Sequence, residues 1–414
     1  MRILLVPSTY PPVLGGVQTV THNLAKHLVQ RGHEVQVVTN RYPRSLPAQE
    51  TLDGISVRRL LFLLPNLNSL RQRRGDLFLA SFYFYPLSLW RLRNLVRGFR
   101  PDVVNLHYPA NQTSFVMALR HWFQFRLVVS LHGGDIDRAS LNGSGGNDES
   151  SASVATRRLQ LILREADAVT ACSKPLIDRA IGLEPSIAGK GHIIHNGIDP
   201  KRFLDKTSYP HPRPYVLAFG RLTYQKGFDM LLDAFAQAES VSRKLDLIIA
   251  GEGEEQNALT ERALRLGLGQ RVHFLGRATP ENVVRLLNGA AFVVVPSRSE
   301  SFGIAALEAI TAGKPVLATK TGGLATFLTE FIEGKDRFPK GKQPLSERQK
   351  SSLGYGPVIK LVGPNPEELA NGLRQMFELP PYNSAEINNY QISDKYSWEQ
   401  VARFYESVLA GSFN

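Results

Sequence analysis

Short apolar runs alternate with amphipathic segments along the whole chain. The apolar runs have the length and the Val/Ile/Leu content of buried strands. They lie at residues 2–6, 34–39, 103–106, 127–131, 168–171, 192–195, 215–219, 246–250, 272–274, 292–295, 316–318 and 358–362. Helical periodicity between the runs predicts parallel sheets. Two such series predict an α/β protein with two doubly wound, Rossmann-like domains.

Prolines separate the two series. The segment 199–214 ends in Tyr-Pro-His-Pro-Arg-Pro, a proline density typical of a hinge. We therefore expect a first domain over residues 1–200 and a second over 215–390, followed by an amphipathic helix within 391–414. A length of 414 residues fits two domains of roughly 200 residues each.

Two glutamates, Glu300 and Glu308, flank a predicted strand-to-helix turn. With a helix over 304–310, a rise of ~1.5 Å per residue places Glu308 roughly 7 to 8 Å further along the axis. The intervening backbone amides would form an anion site at the helix N-terminus; they belong to Ser301, Phe302 and Gly303. A diphosphate on the amides with a hydroxyl-rich group on each carboxylate has the shape of a nucleotide-sugar. The plainer interpretation is a capping glutamate and a solvated helix residue, although Glu308 has unusually apolar neighbours in sequence.

Positive charge for such a ligand is found in a second cluster. Arg221 and Lys226 lie between Gly220 and Gly227, directly after the strand predicted at 215–219. Open parallel sheets bind ligands at this end of their strands. A guanidinium fork and a compact ammonium suit a diphosphate.

Two further candidates lie in the first series. Gly15 and Gly16 follow the first strand and open a helix, so their amides could approach a phosphate. His132 ends the strand predicted at 127–131 and precedes Gly133. A Gly-Gly pair is usually only a turn, and a histidine in this position is more often structural than catalytic.

Taken together, these motifs closely resemble the retaining GT-B glycosyltransferases of family 4, the "glycosyl transferases group 1". The resemblance covers almost the whole chain. The motifs that carry it lie at residues 11–16, 31–39, 132–133, 171–175, 195–203, 220–227, 249–253 and 274–276, and at the pair Glu300 and Glu308. It implies a GT-B fold whose C-terminal helix crosses back onto the first domain.

The resemblance also implies site roles. Arg221 and Lys226 would hold the donor diphosphate, and the Gly16 amide would approach its distal phosphate. Glu308 would bind the ribose hydroxyls, and Glu300 would hold the donor sugar together with the Phe302 and Gly303 amides, as part of a donor site that includes Gly15 and Ser301. His132 would lie near the sugar's hydroxymethyl group at the reacting centre.

The sequence departs from the family pattern on the acceptor side and in one long insertion. Gln18 stands where the family often has glutamate, and Leu324 follows Gly322-Gly323 where a Pro-Glu turn is usual. The segment 333–356 is longer and more basic than the family needs and is interpreted as a surface insertion.

The composition indicates the cellular compartment in which the protein is expected to work. The single cysteine, Cys172, excludes an internal disulfide and suits a reducing cytoplasm. The chain has no apolar run of ~18 residues and begins with a strand followed by proline, so neither a transmembrane helix nor a signal peptide is expected. We expect no cofactor and no metal, because two fixed cations would serve the diphosphate.

The formal net charge of +12 could indicate nucleic-acid binding, but the basic residues suggest another partner. Arginines between residues 71 and 100 are interleaved with aromatic residues; they are Arg71, Arg73, Arg74, Arg91, Arg93, Arg97 and Arg100, with Phe82, Tyr83, Phe84, Tyr85 and Trp90. This mixture favours peripheral contact with an anionic membrane and a lipid-linked acceptor, and we expect no nucleic-acid partner. A packed aromatic helix with solvated arginines is an equal alternative.

The sequence therefore predicts a cytoplasmic, metal-independent, retaining hexosyltransferase. It would move a sugar from a nucleoside-diphosphate donor, UDP rather than GDP, to a glycan or lipid-linked acceptor. A GT-B nucleotide-sugar epimerase and a non-catalytic nucleotide-sugar-binding protein remain alternatives. A dehydrogenase is disfavoured because no Gly-x-Gly-x-x-Gly follows the first strand.

Overall fold

The computed structural model describes residues 1–13, 15–65, 75–140, 149–333, 358–379 and 394–412. The chain divides into two compact units. The first unit contains Met1–Asn196 together with Trp398–Asn414, and the second contains Gly197–Ser397.

Each unit is built on one sheet. The strands are β1 (Arg2–Pro7), β2 (Glu34–Asn40), β3 (Gln49–Leu52), β4 (Ile55–Leu60), β5 (Val103–His107), β6 (Arg126–Leu131), β7 (Ala168–Ala171), β8 (Gly191–Ile193), β9 (Tyr215–Phe219), β10 (Asp246–Ala250), β11 (Val272–Gly276), β12 (Phe292–Val295), β13 (Val316–Thr319) and β14 (Ile359–Val362). The first sheet has the order β3-β4-β2-β1-β5-β6-β7-β8, and the second has β11-β10-β9-β12-β13-β14. Every pairing is parallel except that of β3 with β4.

Helices connect the strands. They are α1 (Gly16–Gln30), α2 (Gly75–Phe99), α3 (Gln112–Leu119), α4 (Gly134–Ser140), α5 (Glu149–Glu165), α6 (Lys174–Leu183), α7 (Phe228–Gln237), α8 (Glu239–Ser242), α9 (Gln256–Arg265), α10 (Pro280–Gly289), α11 (Ile304–Thr311), α12 (Gly322–Ile332), α13 (Pro366–Phe377) and α14 (Trp398–Ala410). None of these helices is both long enough and apolar enough to cross a bilayer.

The predicted α/β fold class is confirmed, and each predicted strand is present. The reason is burial. Central strands such as β5, β10 and β12 are buried at every position, because helices lie over both faces of a parallel sheet. A strand that is covered on both faces is apolar throughout, and such a run of apolar residues can be recognised in the sequence.

The hairpin of β3 and β4 was missed by the sequence analysis. Strand β3 has no buried residue, and β4 contains two consecutive arginines, of which Arg59 is buried. The two-residue turn at Asp53-Gly54, where both residues have positive φ, was the available signal.

The proline-rich segment 199–214, predicted to be the linker, belongs to the second unit. It packs on that unit: the Tyr209 amide donates to the Arg285 carbonyl at 2.8 Å, and His211 and Arg213 bind the Asp246 carboxylate. These contacts hold the segment against its own unit.

The C-terminal helix α14 belongs to the first unit, whereas residues 394–397 just before it belong to the second. Its buried face packs against α1, and Glu406 binds both Arg31 and His33. The Ile198 amide donates to the Tyr396 carbonyl at 2.7 Å, so the first and last segments of the second unit lie side by side.

We predict that the core of the first unit depends on α14. Leu409 is 1% exposed, so Leu409→Ala should destabilise this unit by about 2 to 5 kcal/mol through a cavity that cannot close fully. Hydrogen exchange measured by mass spectrometry should show faster exchange in strands β1 and β5. Phe404→Ala, on the same helix but 36% exposed, is the control and should leave that exchange nearly unchanged. Unchanged hydrogen exchange of these strands in Leu409→Ala would contradict the assignment of α14 to the core of the first unit.

Candidate functional site

The second unit has its candidate site where the strand order reverses. Strands β9 and β12 are neighbours, but their connections leave in opposite directions, and this is where open α/β sheets bind ligands. Lys226 lies on the loop after β9, and Glu300 lies on the loop after β12. The Lys226 Nζ contacts Glu300 Oε2 as an ion pair. The structure therefore brings together two of the residues predicted from sequence.

Glycines allow these loops to approach closely. Gly227 has φ of 67°, and a Cβ there would lie 2.1 Å from the Pro296 carbonyl oxygen. Gly322 has φ of 46°, and a Cβ there would lie 2.6 Å from the Glu300 carbonyl oxygen. Any side chain at either position would push the Glu300 loop away from its neighbours.

An arginine that the sequence analysis missed clamps the same loops. Arg298 binds both carboxylate oxygens of Asp229, at 2.6 and 2.7 Å, and its amide donates to the Gln225 carbonyl at 2.8 Å. Its guanidinium lies 4.1 Å from the centre of the Tyr224 ring. Burial raises the pKa of Asp229, but hydrogen bonds from Arg298 more than offset this and leave the pKa below its usual value. Nothing in the sequence pairs residues 69 positions apart, so only the fold reveals this clamp.

Arg221 is the second predicted cation of this loop. It is exposed, and within the described residues no ion pair engages its guanidinium. It follows Gly220, whose amide donates to the Ala250 carbonyl at 3.0 Å. Arg221 is thus a cation available to solvent at the carboxyl edge of the sheet.

Helix α11 begins directly after the predicted anion-binding amides. Gly303 caps it with φ of 96°, and Ser301 and Phe302 precede it. Phe302 is buried, and its ring stacks 5.0 Å from Phe327. This packing anchors the turn that carries Glu300, so the start of α11 is held by the core.

Glu308 lies inside α11, and its side chain is only 16% exposed. Burial raises the pKa of its carboxyl group to about 7, and the nearby Arg202 guanidinium, 3.6 Å away, opposes that rise. Arg202 comes from the 3₁₀ turn Pro200–Phe203. From the sequence we expected that Glu308, as a partly buried acid, would need a partner. The structure identifies that partner as Arg202.

In the first unit, His132 ends β6 and faces a second histidine. Its Nε2 lies 3.1 Å from Nδ1 of His107, which ends the neighbouring strand β5. Burial lowers the pKa of His132 to about 4, and burial together with the neighbouring His132 holds the pKa of His107 well below its usual value. Both rings are therefore neutral near pH 7, so His132 can exchange hydrogen bonds with a ligand but brings no charge.

Asp135 fixes the backbone around His132. Its carboxylate accepts hydrogen bonds from the amides of His132, Gly133 and Ile136, at 3.0, 2.8 and 3.0 Å. Burial raises its pKa to about 6 although these amides oppose the rise. Asp135 was not among the site residues predicted from the sequence.

Gly15 and Gly16 follow β1 in the same unit and lead into α1. The loop before them is held by the missed hairpin, since Arg59 of β4 donates to the Pro11 carbonyl at 2.5 Å. Gln18, on the first turn of α1, donates to the Thr9 hydroxyl. Gly15 and Gly16 therefore follow β1 and His132 follows β6, two strands of the first sheet, whereas the other predicted residues belong to the second unit.

Comparisons with known proteins agree with this architecture. The family model "Glycosyltransferase Family 4" matches residues 14–202, and "Glycosyl transferases group 1" matches residues 200–335. An uncharacterised glycosyltransferase of Methanocaldococcus jannaschii is 29% identical over 97% of this chain and 96% of its own. The glycogen synthase of Mycobacterium tuberculosis is 29% identical over 85% of this chain and 86% of its own.

Solved structures show the same fold. The Anabaena protein HepE, in complex with UDP-glucose, superposes with a TM-score of 0.67 at 20% identity, covering 99% of this chain and 100% of its own. The two units thus define a GT-B glycosyltransferase. The chain belongs to the glycosyltransferase family that the two matching models describe, and the resemblance seen in its motifs is confirmed.

The raised pKa of Glu308 predicts a pH-dependent stability. The Glu308 carboxyl group binds its proton more tightly in the folded than in the unfolded protein. The free energy of unfolding is therefore highest when this group is protonated, and it falls as the pH rises from about 4.5 to about 7. Glu308→Gln removes this loss because glutamine stays neutral. The variant should match the parent near pH 5 and exceed it by on the order of 2 to 3 kcal/mol at pH 8.

Urea unfolding at both pH values measures this difference. Glu367→Gln, an exposed glutamate on α13, is the matched control and should show no such pH-dependent gain. An equal free energy of unfolding for parent and Glu308→Gln at pH 8 would contradict the buried, costly carboxylate.

Proposed function

We propose that this glycosyltransferase moves a sugar from a nucleoside-diphosphate donor and retains the configuration at the anomeric carbon. The observation that carries the proposal is the ion pair of Lys226 and Glu300 at the strand-order switch, with the buried acid Glu308 on the helix that follows. The carboxyl edge of the second sheet thus combines a cation, a carboxylate that could bind hydroxyl groups, and a helix N-terminus.

The charge that develops on the departing diphosphate is the main problem that the site must solve. Lys226 and Arg221 would bind its oxygens, and the amides before α11 would add donors, so electrostatic stabilisation lowers the barrier. These amides are those of Ser301, Phe302 and Gly303. Glu308 would accept hydrogen bonds from the ribose hydroxyls. Glu300 would bind the donor sugar, and Lys226 would then be shared between Glu300 and the phosphate.

Retention is proposed to follow from attack by the acceptor on the same face that the diphosphate leaves. Glu300 is engaged by Lys226, which makes it a poor free nucleophile. His132 is neutral, and its Nε2 is occupied by His107. We assign His132 to the hydroxymethyl side of the donor sugar, and Gly15 and Gly16 to the distal phosphate.

Uridine diphosphate is the donor nucleotide that we propose, since the similar HepE structure is described in complex with UDP-glucose. The transferred sugar would be a hexose. Because Arg221 and Lys226 would supply positive charge to the diphosphate, no divalent metal would be needed. Activity should therefore persist in the presence of a chelator.

The test of this function removes each cation in turn. Lys226→Ala and Arg221→Ala should each lower the transfer rate from a UDP-hexose by about 100-fold or more, because a donor for developing charge is lost. Initial rates of UDP release with and without acceptor measure this. Arg265→Ala, an exposed arginine on α9, is the control and should keep the parental rate.

The proposal fails if both variants turn over at the rate of the parent. Conversion of the donor into an epimer without any acceptor would instead favour a nucleotide-sugar epimerase. Binding of UDP-hexose without turnover under any condition would favour a binding protein.

We propose further that the acceptor is met at an anionic membrane. One face of α2 exposes five residues at helical spacing: Leu79, Phe82, Tyr83, Pro86 and Trp90. Phe82, Tyr83 and Trp90 are each more than half exposed. A stripe of this kind suits the interface of a bilayer, where aromatic rings are stable beside polar headgroups.

Basic residues continue this face. Arg91 and Arg97 of α2 are exposed, whereas Arg93 lies over the Trp122 ring at 5.4 Å. The predicted Arg71, Arg73 and Arg74 lie outside the described residues. An open groove of ≈ 460 Å³ between α3 and α5 combines apolar side chains with two arginines; it is lined by Ser114, Met117, Ala118, His121, Val154, Arg157, Arg158 and Leu161. Apolar side chains together with two arginines suit a lipid-linked phosphate better than a neutral glycan.

Vesicle co-sedimentation tests the membrane contact. The protein should bind anionic vesicles and release them as salt rises, because each cation near the surface contributes about 1 kcal/mol that salt screens. The double variant Tyr83→Ala, Trp90→Ala should bind more weakly. Tyr42→Ala, an aromatic that is 62% exposed elsewhere in the first unit, is the control. Equal binding to neutral and anionic vesicles, or no binding at low salt, would contradict the proposal and favour a glycan acceptor.

A further inference from the structure

Two histidines and an aspartate meet at the other edge of the second sheet. His211 precedes β9, Asp246 is the first residue of β10, and His273 is the second residue of β11. The Nε2 atoms of His211 and His273 lie 2.9 and 3.1 Å from the same oxygen, Oδ2 of Asp246. Three ligand atoms of two chemical kinds therefore converge on one point.

The geometry is close to that of a metal site. The three ligand atoms all lie within 4.8 Å of one another. Around a tetrahedral zinc ion, bond lengths of about 2.0 to 2.1 Å place neighbouring ligand atoms roughly 3.4 Å apart. Small side-chain movements would widen the present separations of 2.9 and 3.1 Å to that distance. Two imidazoles and one carboxylate leave a fourth position for water, which is the pattern of an open zinc site.

The surroundings hold the ligands in place. The other carboxylate oxygen, Oδ1 of Asp246, accepts a hydrogen bond from Arg213 Nε at 3.0 Å. The ring of His211 packs edge-on against Tyr215, with centroids 5.5 Å apart, and against the ring of His273 at 4.9 Å. Outer contacts of this kind orient metal ligands.

The charge balance also permits a cation. Arg213 and Arg271 both pair with Oδ1 of Asp246, whereas the two imidazoles contact Oδ2. Arg213 and Arg271 repel a metal ion, but their side chains are 36% and 34% exposed, so water and salt screen that repulsion. Asp246 itself is only 3% exposed.

We propose that His211 Nε2, His273 Nε2 and Asp246 Oδ2 bind a divalent transition metal, with Zn²⁺ as the expected ion. Each imidazole would carry its proton on Nδ1 and offer the Nε2 lone pair, as metal ligation requires. The ion would join three chain segments and fasten the proline-rich segment 199–214 to the edge of the sheet.

This metal would be structural and would take no part in sugar transfer. Asp246 and Ala250 are the two ends of β10, and four steps of about 3.3 Å separate them by roughly 13 Å. The Lys226 and Glu300 pair lies at the carboxyl edge, beyond Ala250. The inference is therefore independent of the proposed function, and chelation should lower stability without abolishing donor binding.

Thermal unfolding of the full chain with Zn²⁺ as the only added ligand tests the site. The metal-free protein should gain about 5 to 10 °C in Tm at a zinc concentration about 100 times the Kd. His273→Gln keeps a side-chain donor for Asp246 but loses the imidazole, and it should lose this zinc-dependent gain. His121→Gln, an exposed histidine of the first unit, is the matched control and should retain it.

A further measurement separates this site from loose surface binding. Co²⁺ should give a visible d–d absorption band at one ion per chain, and His211→Gln should abolish that band. A Tm that does not respond to zinc, or a zinc response that persists in His273→Gln, overturns the proposal and leaves a purely hydrogen-bonded cluster.

Discussion

The ion pair of Lys226 and Glu300 is the interaction on which the proposed donor site of the second unit depends. It joins the loops after β9 and β12 where the strand order reverses, and both side chains are less than a third exposed. Removing one partner of a partly buried pair leaves an uncompensated charge, which costs several kcal/mol. An arriving diphosphate would offer Lys226 a second anion, and the exposed Arg221 at the same edge would add a cation.

The rest of the second unit keeps this pair in register. Gly227 and Gly322 let backbones approach to distances that no side chain would permit, and Arg298 ties the loop of Lys226 to Asp229. Phe302 anchors the following turn in the core. Glu308 contrasts with these contacts, because its burial costs stability when it is charged. A residue kept at such a cost fits a role in binding, since a neutral residue would serve the fold better.

The sequence was informative where one local pattern determines the outcome. Parallel strands buried on both faces are apolar throughout, and a glycine-bounded loop after a strand lies at the carboxyl edge of its sheet. It was uninformative where two distant segments meet. Arg202 faces Glu308, Arg298 binds Asp229, and His107 contacts His132 only because the fold places their elements side by side. The hairpin of β3 and β4 was missed because an edge strand without buried residues has no apolar period to detect.

The membership of α14 in the first unit has a consequence for synthesis on the ribosome. The helix that completes the first core is translated after Met1–Asn196, and all of Gly197–Ser397 is made in between. At ~5 to 20 residues per second, that interval lasts roughly 10 to 40 s. During this time the face of α1 that α14 covers is without its partner, whereas the second unit has all of its own residues before α14 is made. The nascent chain therefore completes the second unit before the first.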